Sequence, residues 1–298
     1  EGVEYMLENA RHSPFKFYFG APSCVPATPF ERAGAVLGEA EVEQLLKRDD
    51  IYYLGEMMNF PGVVHDDPVV KAKLALARKY GKPVDGHAPG LRGAELEKYL
   101  QAGITTDHES LALDEAREKI QQGMKIIIRE GSAAKNFKDM LPLLSEYPDM
   151  VMFCSDDKHP DDLVRGHIDR LVKAAIVSGV EPLAAIAAAT VNPVRHYRLD
   201  VGLLQENDAA DVIVADNLLD LNIQEVYIRG KLAARAGKTL LPHRPADAIN
   251  IFNPVSVLSS SLGIRAEGVK ARVIEIIPGQ LLTKEVIAEP AVKDGYVV

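Results

Sequence analysis

The stretch PVDGHAPGLRGAELEKYLQAGITTDHES, residues 83–110, decides the fold. A short β-rich run, PVDGH at 83–87, leads into a helical segment and then into a second β-rich run, GITTDH at 103–108. Gly103 stands where a helix C-cap belongs, since glycine adopts the left-handed conformation of that position without a side-chain clash. A strand, a crossover helix and a second strand read as one parallel unit. Both strands end on a histidine.

The same alternation runs outward in both directions, through FKFYF at 15–19, IYYL at 51–54, MKIIIR at 124–129 and MVMFCS at 150–155. Asp67 and Pro68 form an N-cap and first-position pair, and the apolar stripe continues through Val70, Leu74 and Ala77. Gly123 is a second C-cap. Ile168, Leu171, Val172, Ala175 and Ile176 mark one face of an amphipathic helix, and EPLAAIAAATVNP at 181–193 reads as another helix, ended by Asn192 and Pro193. Six strand–helix units are countable, whereas a closed barrel of this kind has eight, so two strands are expected to be missing. An open doubly wound sheet is the alternative, but no GxGxxG or Walker sequence follows a strand. The expected fold is α/β, an incomplete (β/α)8 TIM-type barrel over residues 1–198.

From about residue 200 the pattern changes to short apolar strands alternating with Gly and Asp turns, in GLLQENDAADVIVADNL and IQEVYIRGKLAARAGKTLL. Residues 199–250 therefore read as a small β domain segment. PHRPADAINIFNPV reads as a connector, and ARVIEIIPG as strand-like. Residues 251–298 are expected to hold a linker and the start of a truncated C-terminal domain, too short for a core of its own.

A net charge of −9 disfavours a general binder of phosphate backbones, which needs clustered Lys and Arg, so no nucleic-acid partner is expected. No apolar run approaches the roughly 18 residues that span a bilayer, and no membrane partner is expected. Two cysteines without a CxxC pairing support neither a disulfide scaffold nor a thiolate zinc site and point to a reducing cytoplasm. The opening EGVEYMLENA does not resemble a secretory leader, and a start at Glu1 points to a cut or processed chain.

Catalytic groups of such a barrel gather at the C-terminal ends of its strands. Glu56 follows IYYLG, His87 follows PVDG, His108 and Glu109 follow GITTD, and Asp156 and Asp157 follow MVMFCS. Any one of these alone is an ordinary structural histidine or solvated acid. Together, two imidazoles and two carboxylates ending separate parallel strands converge on one cavity and suit Zn, Mn or Fe.

These runs resemble those of a known family. PSCVPAT at 22–28, LGEMMNFPGV at 54–63, DGHAPG at 85–90, DHES at 107–110, IREGSAAKN at 128–136 and CSDDKHP at 154–160 are similar to bacterial adenine deaminases of the amidohydrolase superfamily, over roughly residues 1–240. The resemblance implies Glu56 as a bridging metal ligand, His87 and His108 as ligands ending the next two strands, and Asp156 as the last, around a divalent metal that is binuclear in the complete enzyme. It also implies hydrolysis of adenine to hypoxanthine and ammonia, with Asp156 moving the water proton and Glu109 protonating or hydrogen-bonding a ring nitrogen. Ser23, Arg129, Ser132, Asp157 and His159 are the expected substrate contacts, with loop shaping as the alternative for Ser23, Arg129 and Ser132 and a turn role for His159. The small-molecule partner is a purine, and a homo-oligomer is the expected assembly.

One departure from the family is that no His-x-His pair, the superfamily's first two ligands, occurs anywhere in the chain. The site is expected to be incomplete, and the chain alone is expected not to deaminate adenine at an enzymatic rate. A related amidohydrolase acting on a cyclic amide or an N-acetyl sugar, and a catalytically silent fragment, are the competing readings.

Overall fold

The β-rich runs form six strands: β1 (Phe19–Pro22), β2 (Ile51–Met57), β3 (Val84–Gly86), β4 (Thr106–Asp107), β5 (Lys125–Arg129) and β6 (Val151–Cys154). They are seen in a computed structural model that describes residues 1–28, 30–251, 253–278 and 283–297. β1, β2 and β3 pair in parallel in that order, as do β4, β5 and β6. A parallel bridge between Val84 and Ile104 joins the two sets. Spatial order thus follows chain order throughout. A doubly wound sheet reverses its strand order at a switch point, and no such reversal occurs among the described strands. The arrangement is an arc of a β/α barrel.

The strand bounds correct the sequence reading in two places. FKFYF at 15–19 contributes only Phe19 to β1, which instead runs on to Pro22. Phe15 and Phe17 are 54% and 46% exposed, so alternation along that run finds no buried face to fill. GITTDH contracts to Thr106–Asp107, preceded by the single bridge at Ile104.

Helices cover the strands: α1 (Gly2–Arg11), α2 (Glu39–Leu46), α3 (Phe60–Val64), α4 (Pro68–Lys79), α5 (Gly93–Gln101), α6 (Leu113–Gln121), α7 (Phe137–Met140), α8 (Leu143–Glu146), α9 (Pro160–Leu163), α10 (Ile168–Val177), α11 (Pro182–Ala189) and α12 (Val191–Tyr197). The Asp67 carboxylate accepts from the amides of Val69 and Val70, which satisfies donors that the first turn of α4 leaves unpaired. Asn192 and Pro193 do not end a helix; they begin one. Thr190 leaves helical geometry at φ −132° and ψ −79°, and its hydroxyl bonds back to Ile186 O at 2.7 Å. The Asn192 amide then donates to Pro148 O and Val151 O, both at 2.7 Å, and so pins the start of α12 to β6. Pro193 lies in the first turn, where its missing N–H breaks no bond.

Two apolar clusters fill the layer between strands and helices. Leu46, Ile51, Leu54, Met57, Leu96 and Tyr99 belong to the first, and Ile126, Ile128, Met140, Leu144 and Val151 to the second. Gly86 shows how closely β3 and β4 approach, because a Cβ there would overlap the backbone oxygen of Thr106. Gly86→Ala is therefore expected to destabilise the fold by about 1–3 kcal/mol, the cost of overpacking a filled core. Urea unfolding at neutral pH measures it, and an unchanged midpoint would mean that the two strands part without penalty.

The chain divides into the units Glu1–Ser132 with Asn136–His243, and Ala133–Lys135 with Arg244–Val298. The first also holds an antiparallel sheet in the order β10 (Lys238–Thr239), β9 (Lys231–Arg235), β8 (Ile223–Ile228), β7 (Val212–Ala215). In the second, β11 (Ala271–Ile276) pairs with β12 (Thr283–Ala288), and β13 (Val292–Lys293) with β14 (Tyr296–Val297). Phe252 of the connector run and Gly279 of ARVIEIIPG lie outside the described residues. No helix among the described residues is long and apolar enough to cross a membrane.

Candidate metal centre

Strict alternation along β2 would put Glu56 on the same face as Leu54, which is fully buried in the apolar core. The register prevents this. Leu54 pairs with Val84 and Met57 with Gly86, so three steps on β2 match two on β3. The irregularity places Met57 beside Leu54 in the core and frees Glu56 to turn the other way, the re-aiming that a bulge performs next to a functional site. Gly55 lies within this irregularity; a Cβ there would come within 2.7 Å of the Tyr53 ring.

His87 and His108 each follow the last residue of a strand, β3 and β4, and Asp156 lies two residues beyond β6. Glu56 Oε2 sits 2.6 Å from His108 Nε2 and 3.4 Å from His87 Nδ1. His108 Nε2 is 3.3 Å from Asp156 Oδ2. One ligand atom from each of Glu56, His87 and His108 falls within 4.8 Å of the others, and the same holds for His108, Glu109 and Asp156. His108 belongs to both sets. Asp156 takes a left-handed φ of 50°, a conformation that aspartate tolerates better than most residues and that concentrates at functional sites.

Burial disfavours the charge on Glu56, but the two histidines facing it outweigh burial and hold its pKa down to about 2. Burial likewise disfavours charging His108, and Glu56 and the aspartates reverse that and raise its pKa. Even so, Glu56 Oε2 is a buried oxygen without a properly directed hydrogen bond. One nitrogen of each imidazole and one oxygen of each carboxylate lie close enough together to hold a cation, and an imidazole and carboxylate set fits Zn, Mn or Fe.

Of the remaining sequence candidates, Arg129 ends β5, is 3% exposed, and lies in ion-pair contact with Glu109 and, at 2.8 Å, with Asp156 Oδ2, so it spans the two carboxylates. Ser23 is 1% exposed, its hydroxyl donates to Glu56 O, and its own carbonyl accepts from Lys73 at 2.7 Å; it braces β2 from behind. Ser132, Asp157 and His159 bond to one another: the Ser132 amide donates to Asp157 O and its hydroxyl accepts from the His159 amide, both at 2.9 Å. Sequence reasoning missed Asn136, whose side chain accepts from Arg129 N at 2.8 Å and donates to His108 O at 3.1 Å. It also missed Tyr99, Asp107 and Lys119. Lys119 left a signal, since it stands beside Ala116 and Ile120 on the buried stripe of α6, where a lone lysine requires partners.

Residues 1–233 match the model of the Amidohydrolase family. The chain belongs to that family. Among curated relatives of this amidohydrolase, the adenine deaminase of Salinibacter ruber is 52% identical over 298 residues, which is 100% of this chain and 55% of that protein. The adenine deaminase of Methanosarcina mazei is 50% identical over 311 residues, 100% of this chain and 56% of that protein. The chain thus spans about half the length of the curated relatives it matches. Among solved structures, a β-aspartyl dipeptidase from Fervidobacterium islandicum AW-1 has a TM-score of 0.55 at 16% identity, covering 83% of this chain and 73% of that one. An enamidase has a TM-score of 0.53 at 17% identity, covering 70% of this chain and 62% of that one. These two likenesses establish the fold.

Proposed function

We propose that the protein carrying this chain hydrolyses adenine to hypoxanthine and ammonia. The observation that supports this most is the convergence of Glu56, His87, His108 and Asp156 from four different strand ends, in a chain about 50% identical to proteins named adenine deaminase. Glu56, His87, His108 and Asp156 are the proposed ligands of a divalent cation, Mn, Fe or Zn, in a centre that is binuclear in the complete protein.

A bound cation of this kind supplies Lewis-acid activation of water. Asp156 takes a proton from the attacking water as the bond from oxygen to the amino-bearing carbon forms, and it returns that proton to the departing amine as the C–N bond breaks. Glu109, carrying a proton when substrate is bound, donates it in a hydrogen bond to a ring nitrogen and so draws electron density from that carbon. Arg129 holds Glu109 and Asp156 in one orientation through its two contacts. Asp157, Ser132 and His159, hydrogen-bonded to one another, are proposed substrate contacts, with loop shaping as the alternative for Ser132 and a turn role for His159. The free thiols of Cys24 and Cys154 fit a cytoplasmic protein.

Ammonia release tests the reading, in a metal-loaded protein of the relatives' full length that carries this chain, against a panel of adenine, cyclic amides and N-acetylated sugars. Adenine is expected to be the substrate turned over. Turnover of a cyclic amide or an acetylated sugar without adenine would move the assignment to another amidohydrolase reaction.

A further inference from the structure

The three proposed ligands Glu56, His87 and His108 lie at the ends of different strands: Glu56 is one residue before the end of β2, and His87 and His108 directly follow β3 and β4. Two side chains reach this backbone from the helix layer. Tyr99, on α5 and fully buried, donates its hydroxyl to Met57 O at 2.9 Å and accepts from the His87 amide at 3.0 Å. One oxygen atom therefore ties the residue after Glu56 to His87 itself. Lys119, on α6 and also fully buried, donates to Ala88 O at 2.7 Å, to Asp107 Oδ2 at 2.9 Å and to Glu115 Oε1 at 2.6 Å, with Ser110 Oγ at 3.2 Å. Asp107 closes the circuit, because its Oδ1 accepts from the Ala88 amide at 2.8 Å. The residue after His87 is thus bound, through both its N–H and its C=O, to the residue before His108.

From this geometry we infer that Tyr99, Asp107 and Lys119 are positioning residues, forming one buried hydrogen-bonded belt that sets the spacing of Glu56, His87 and His108. A core that needed only stability would be served at Tyr99 and Lys119 by apolar side chains, since burying a polar group is favourable only when every hydrogen bond is made. Among the described residues, the bonds run to the backbone beside the ligands, between Lys119 and Asp107, and to Ser110 and Glu115, which flank the same loop. The His87 Nδ1 to His108 Nε2 separation of 3.4 Å is the quantity the belt controls. None of the three touches the reacting atoms.

The inference rests on the metal reading above, and its test separates the two. Cobalt(II) is titrated into the full-length protein carrying this chain, with affinity from chelator competition, geometry from the visible d–d absorption, and metal-free stability from thermal unfolding. Tyr99→Phe, which removes a single oxygen, and Asp107→Asn are each expected to weaken cobalt binding by about tenfold or more and to change its absorption spectrum, as loss of groups that orient ligands does. Leu144→Ala, in the second apolar cluster, is the control: it lowers the melting temperature while affinity and spectrum stay as in the wild type. Wild-type affinity and spectrum in Tyr99→Phe would overturn the positioning role and leave the belt as ordinary core. Failure of the wild-type protein to take up cobalt would overturn the metal reading and the belt's role with it.

Discussion

Asp156→Asn is expected to lower adenine turnover by at least about a hundredfold in the full-length protein, the smaller end of what a positioned acid–base group contributes. Asparagine keeps the size and one oxygen of the side chain but cannot accept and return a proton. The left-handed backbone at Asp156 is one that asparagine also tolerates, so the variant folds. The loss should fall on kcat more than on KM, because the interaction removed is made in the transition state. Steady-state kinetics of ammonia release read this directly. Near-normal kcat would transfer the proton shuttle to Asp157, which follows in the chain and whose amide bonds the Asp156 carboxylate at 2.7 Å.

The second large effect is on stability. Lys119→Met is expected to destabilise the fold by about 3–5 kcal/mol, since it strands buried carboxylates without their cation. The Lys119 and Asp107 side chains are 0% exposed and that of Glu115 only 3%, so water does not replace the lost partner. That loss is a large share of the roughly 5–15 kcal/mol by which domains are stable. Urea unfolding measures it. Adding Asp107→Asn to Lys119→Met should recover part of the deficit, because one isolated charge is removed with its partner. A single-variant loss below about 1 kcal/mol would show that the carboxylates find water in the native state.

The fold was legible wherever local pattern and tertiary packing agree. Ile126, Ile127 and Ile128 form a buried strand in the sequence and in the sheet, and Val70, Leu74 and Ala77 face the core as their spacing requires. The pattern misled at FKFYF, where alternation of aromatics looks like a strand but, among the described residues, strand pairing begins only at Phe19. It misled again at Asn192 and Pro193, which are stop signals by composition but become a start once Asn192 finds carbonyls of residues 148 and 151. A long-range partner of that kind leaves no trace in local spacing.

By itself, the sequence determined the parallel strand–helix alternation, and so that Glu56, His87, His108 and Asp156 lie near the C-terminal ends of four strands. That follows from the alternation of parallel strands with crossover helices, which brings the residues after each apolar run to the same end. Only the tertiary structure decided where those side chains point and what holds them. The register irregularity that turns Glu56 out of the core depends on how β2 meets β3. The placement of Arg129 between Glu109 and Asp156 depends on β5 lying beside both β4 and β6. The contacts of Tyr99 and Lys119 depend on helices that cross behind the sheet. Each is a matter of distance between residues far apart along the chain, which pairing and packing set and which no local periodicity encodes.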